Sequence, residues 1–167
     1  RYRNVRLLFF LAGGFTAPML TFAGLWAVPF LATQYGLATT QAALVTSGML
    51  LAWGIGGPFF GALSDRMGRR KPVYAFGLGT SIVGWSVVWL IPGLPLALLI
   101  AIMIATAFCS GSVIISFAFA KESTPAHLAG TTTGVANMGN MLGGMIMQPA
   151  VGWVLAVRRS IATRRSA

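Results

Sequence analysis

Acidic residues are almost missing from this chain: Asp65 and Glu122 are the only two among 167 residues, against twelve Lys and Arg, for a formal net charge of +10. Neither lies in a long apolar run, so no carboxylate is placed to relay protons in the way ion-coupled membrane proteins require within their spans. Cysteine occurs once, at Cys109 inside an apolar segment, which excludes a disulfide framework and a paired metal-ligand set within the chain. The single His127 sits in a polar stretch with no Cys or second His near it, so no metal site is expected. A Walker loop and a nucleophile elbow are absent too, which removes the sequence grounds for an enzyme, an ATP-driven pump or a cofactor.

Charge of either sign is scarce. Only 8% of residues are charged and 56% are hydrophobic, whereas soluble domains carry about 25% charged residues. The stretch from Ala97 to Ala120 has no charge at all, over more than the ~20 residues needed to cross a bilayer. A net positive charge is also the footprint of nucleic-acid binding, but here the basic residues form short clusters between apolar runs. That pattern sets membrane topology, so the expected partner is a lipid bilayer and not a nucleic acid.

Apolar runs bounded by charge or turn residues predict five membrane helices, roughly 7–32, 40–63, 72–91, 96–120 and 131–157. A helix satisfies every backbone hydrogen bond where water is absent, and the runs do not alternate as lipid-facing strands would. The opening RYRNVR and LLFFLAGG imitate a signal peptide, but the run continues to about Ala32 and further spans follow. Alternate connectors are basic and neutral. Arg1, Arg3 and Arg6 fall on the same side as Arg66, Arg69, Arg70, Lys71 and Lys121. The positive-inside bias makes that side cytoplasmic, with the N-terminus and the loops at 64–71 and 121–130 facing inward. Five crossings then put the basic tail 158–167 outside, against the bias. A truncated or non-native tail is the reading favoured over a fifth segment that fails to cross. The start at Arg1 without Met points the same way, to an excerpt of a longer chain.

Small residues recur at four-residue spacing: Gly48, Ala52 and Gly56 in the second span, Gly139 and Gly143 in the fifth. Such faces let helix backbones approach closely in lipid. The second and fifth spans also echo each other at one constant offset, through Gly48, Ala52, Pro58, Gly61 and Leu63 against Gly139, Gly143, Pro149, Gly152 and Val154. Three spans followed by two of a similar triplet is the trace left by 3+3 inverted repeats, with a sixth helix lacking after the fifth.

The most specific string is GALSDRMGRRKP, from Gly61 to Pro72, between the second and third spans. Gly61, Leu63, Asp65, Arg66, Gly68, Arg69 and Arg70 match a signature by which the chain resembles the major facilitator superfamily. The chemistry of the loop is readable on its own: Asp65 suits a helix N-terminus, the arginines suit helix ends, carboxylates and lipid headgroups, and Gly68 permits the tight turn. The resemblance adds that Gly61, Asp65, Arg66, Gly68, Arg69 and Arg70 form a latch that breaks when a transporter rocks. The fifth span, with Asn137, Gly143, Gly144 and the Gln148-Pro149 step, resembles the eleventh helix of sugar-phosphate-permease-like facilitators. Residues 1–157 would then be helices seven to eleven of the C-terminal half, an all-α bundle of six helices with its last helix missing.

On the fifth span Thr133, Asn137, Asn140 and Gln148 fall in one stripe with Met141 and Gly144. Amides in lipid must face protein or a cavity, so the stripe is a candidate cavity wall. It would serve equally as hydrogen bonding between helices. Ala105, Cys109, Ser112 and Ser116 make a small polar stripe on the fourth span. Phe15, Phe22 and Trp26 stand in near register on the first, where Pro18, Pro29 and Gly13-Gly14 permit bending. Candidate cavity residues are therefore Trp26, Ser112, Ser116, Asn137, Asn140 and Gln148. The expected function is transport of a small solute by alternating access, with an N-terminal half as partner and a lean, from the resemblance alone, towards organic anions. The expected location is the bacterial inner membrane. A transporter-like sensor, a nonfunctional gene remnant and a homodimer of halves are the alternatives.

Overall fold

The computed structural model describes the backbone of residues 3–166 and the side chains of residues 3–157. The side chains of the basic tail at 158–167 lie outside the described residues. Five helices long and apolar enough to cross a membrane account for nearly all of it: α1 Arg3–Tyr35, α2 Thr39–Met67, α3 Arg70–Leu90, α4 Leu96–Glu122 and α5 Ala129–Ser166. A 3-10 turn at Ala126–Leu128 leads into α5. The expected spans overlie these helices to within about four residues, except that α5 runs on past 157.

The helix ends follow from local chemistry. Gly36 and Gly68 close α1 and α2 in the left-handed conformation, φ 65° and 62°, which a glycine adopts without Cβ strain. The α2 N-terminus is capped by Gln41, whose side-chain oxygen accepts the Ala38 N–H at 3.1 Å. Two interruptions change the phase of a helix. A π turn at Phe22–Trp26 divides α1, and a 3-10 turn at Gly111–Val113 divides α4.

At two of the helix seams glycine lies directly against main chain. Where α1 crosses α5, a Cβ added to Gly13 would stand 2.6 Å from the carbonyl oxygen of Gly139. One on Gly139 would strike the Phe9 carbonyl, and one on Gly143 the Gly13 carbonyl. Where α2 crosses α4, Gly56 lies on the backbone of Phe108, and a Cβ on Gly111 would stand 2.6 Å from the carbonyl carbon of Gly56. The expected close approach of Gly48 is corrected: a Cβ added there would meet only the Cδ1 of Ile104, at 3.9 Å, and the tight contact of α2 belongs to Gly56. Gly48 sits a little over two turns from the crossing point, where the backbones have diverged.

Helix α3 packs on α4 through a third seam, in which Gly77 faces Ser112, Gly84 faces Thr106, and the hydroxyls of Ser81 and Ser110 lie 3.0 Å apart. An apolar core of Met19, Phe22, Leu31, Met49, Trp85, Leu99 and Met103 fills the middle of the bundle. The outside is apolar as well: Phe10 is 73% exposed, Trp153 70% and Leu51 67%. Such a surface suits lipid and not water.

Candidate functional site

The signature loop closes into a charge cluster at one end of the bundle. Asp65 lies in the last turn of α2 and Arg70 opens α3. The left-handed Gly68 turns the chain back between them so that the Arg70 guanidinium reaches the Asp65 carboxylate. Its other edge donates to Glu122 at the end of α4, from Nη2 to Oε1 at 2.7 Å and from Nε to Oε1 at 3.1 Å. Nη1 also lies 3.3 Å from Ser64 Oγ. One arginine thus ties three helix ends through charge-assisted bonds, a use for which the planar guanidinium fork is suited.

Arg66 and Arg69 are exposed and make no ion pair among the described residues, and Gly61 faces Ile114 of α4. Leu8 and Leu11 share a shallow pocket of about 180 Å³ with Arg70, Lys71 and Tyr74, which puts the N-terminal part of α1 at the same end. Glu122 is the member that sequence reasoning missed. Its signal was available, since it is the only other acid in the chain and lies on the connector assigned to the same face.

A second site lies between helices. A cavity of about 240 Å³ is walled by Thr16 of α1, Trp53, Gly57 and Pro58 of α2, Gly111, Val113, Ile114 and Phe117 of α4, and Asn137, Asn140 and Met141 of α5, with no contribution from α3. Asn140 is buried and its carbonyl oxygen accepts the Thr16 hydroxyl at 2.8 Å, whereas Asn137 is exposed. The structure brings these two asparagines together and adds Thr16 and Trp53.

The other expected wall residues are placed elsewhere. Gln148 donates from Nε2 to the Leu20 carbonyl at 3.2 Å, just before the π turn of α1, and its amide packs over Gly24. Thr133 bonds the Ala129 carbonyl of its own helix at 2.8 Å. Ser112 is fully buried against Gly77 of α3, and Ser116 is buried with its hydroxyl on the Val113 carbonyl at 2.6 Å. The stripe expected to line a central path therefore faces α3 at Ser112, because the 3-10 turn at Gly111–Val113 shifts the phase on which a regular wheel relies. Trp26 is half-buried against Gly152 in a separate, larger cavity of about 570 Å³ bounded by Phe22, Phe30, Trp89 and Val151. Its indole N–H has no acceptor among the described residues.

Replacing Gln148 by Leu removes one hydrogen bond between helices and leaves the seam intact. The expected loss is about 0.6 kcal/mol, the average for such bonds in membranes, read as a shift in the midpoint of SDS-induced unfolding. A loss above about 2 kcal/mol would mean that the amide holds the π turn open by more than one bond.

Membrane-length helices, apolar flanks and a basic, acid-pinned connector define a multi-pass integral membrane protein. A family model described as Major Facilitator Superfamily matches residues 7–160. The chain therefore belongs to the Major Facilitator Superfamily and is a membrane transporter of that type. No solved structure matches it.

Proposed function

We propose that residues 1–157 form one helix bundle of a secondary transporter, which carries a small solute across the bacterial inner membrane by alternating access against a second, N-terminal bundle. The observation that carries this is the cavity walled by α1, α2, α4 and α5, where Asn137, Asn140, Thr16 and Trp53 face a common space. Polar groups at membrane depth are tolerated where they line a cavity or pair with one another, and here they do both. On this reading the chain corresponds to helices seven to eleven of a sugar-phosphate-permease-like C-terminal half, the assignment suggested by the fifth span.

The Asp65–Arg70–Glu122 cluster is the conformational latch of this proposal. It joins the ends of α2, α3 and α4 by bonds that are exposed to solvent and so exchange readily. Arg66 and Arg69 remain available at the same end for lipid phosphate or for the partner bundle. With the positive-inside bias, that end and the N-terminus face the cytoplasm.

Two measurements test the proposal. The chain reconstituted alone should show no saturable uptake of radiolabelled sugar phosphates or carboxylates, and the complementary bundle should restore it. Saturable uptake by the chain alone would overturn the half-transporter reading. In cells, Arg69→Cys in a Cys109→Ala background should react with an impermeant maleimide only after permeabilisation. Labelling of intact cells would reverse the topology.

A further inference from the structure

Thr16 handles its hydroxyl differently from other threonines of the bundle. Thr46, Thr80 and Thr133 each donate to the carbonyl four residues back in their own helix, at 2.9, 2.8 and 2.8 Å, the usual resolution for a threonine inside a helix. Thr16 donates across the α1–α5 seam, to Oδ1 of Asn140 at 2.8 Å. A hydroxyl donor on the amide oxygen decides which way the amide faces, because the oxygen is taken and the NH2 is left for the cavity that both residues line. Beside it stand the exposed amide of Asn137 and the half-buried indole of Trp53. None of the residues around this cavity is ionisable.

That inventory discriminates between ligand chemistries. A carboxylate, phosphate or ammonium brought against this wall would give up its water and meet no opposite charge. A hydroxyl, ether or carbonyl oxygen would exchange one hydrogen bond to water for one from an amide already turned to give it, with the indole offering an apolar face for the attached carbon. We infer that this wall takes an uncharged, oxygen-bearing part of the solute, recognised by the NH2 of Asn140 that Thr16 orients, and that any charge on the solute is held outside this bundle. The inference rests on the cavity being the solute path proposed above, and narrows the organic-anion lean to the neutral portion of such a molecule.

The test uses the full chain in lipid nanodiscs with Cys109→Ala and Asn137→Cys, after gel filtration and circular dichroism matching the parent. Three methanethiosulfonates of similar size serve as probes: hydroxyethyl, which is neutral, sulfonatoethyl, which is anionic, and trimethylammonioethyl, which is cationic. Each rate is divided by the rate of the same reagent at Ala126→Cys, which is exposed on the connector before α5. The neutral probe should react about tenfold faster, on this normalised scale, than either charged probe, the discrimination expected when an ion must be desolvated without a counter-charge. An anionic or cationic rate equal to the neutral one overturns the inference and leaves the cavity standing as a solute path. If the thiol introduced by Asn137→Cys reacts with none of the three, the water-filled path itself is removed, and both readings fall.

Discussion

Changing Gly139 and Gly143 together to leucine should unfold the α1–α5 pair, with an expected loss of about 4 kcal/mol, roughly twice the mid-range cost of overpacking one position. The obstacle at each position is main chain: the Phe9 carbonyl faces Gly139 and the Gly13 carbonyl faces Gly143, so no rotamer change can make room. Overpacking a core position costs about 1–3 kcal/mol even where side chains can shift, and here the helix axes themselves must part. In lipid nothing compensates, because apolar surface gains little by leaving one hydrocarbon environment for another and association depends on close packing. Separation would also break the Thr16–Asn140 bond that bridges the same seam. The measurement is the SDS unfolding midpoint, with Met138→Leu as the control, since Met138 is 66% exposed. A double variant as stable as that control would show that the seam is not what holds α1 to α5.

Reversing the charge at Arg70 is the second substitution with a large expected effect. Arg70→Glu would place three carboxylates where one guanidinium now joins two. The Asp65 and Glu122 side chains are 66% and 52% exposed, so water screens each pair, and single exposed ion pairs contribute about 0–1 kcal/mol. Losing two attractions and gaining two repulsions should therefore destabilise this end by about 1–2 kcal/mol at low salt. Most of that should vanish at 1 M salt, where the screening length is about 3 Å. Adding Glu122→Arg to Arg70→Glu restores one opposite-charge pair, between positions 70 and 122, but leaves the new carboxylate facing Asp65, so it should recover about half of the loss. If the swapped pair is no more stable than Arg70→Glu alone, the cluster holds the helices by packing and not by charge.

The helices were legible in the sequence because in a membrane composition and length nearly determine secondary structure. Ala97 to Ala120 cannot be dissolved in water and cannot leave its amides unpaired in lipid, so it must be helix. The close seam at Gly139 and Gly143 was readable for a related reason: a small-residue spacing on an otherwise apolar helix has few other uses. Phase was not readable. A wheel that puts Ser112 and Ser116 on a central path assumes an unbroken α4, and a turn of only three residues redirects them. Trp26 likewise stands in register with Phe15 only on a regular helix, and no residue of the segment FAGLW announces the π turn between them. Glu122 pairs with a residue 52 positions away along the chain, so no local motif marks it, and its signal was a place on a connector of the same face.

The π turn in α1 carries one residue more than an ordinary turn, and each residue advances a helix by about 100°. The N-terminal segment therefore presents Phe15 to Tyr74 of α3, while Trp26, at the end of the π turn, faces Gly152 of α5. The two segments of α1 are thus offset about the helix axis by about 100°. That offset gives one helix two packing faces, so Arg3–Thr21 meets α5 through Gly13 while Ala27–Tyr35 turns a different side to its neighbours.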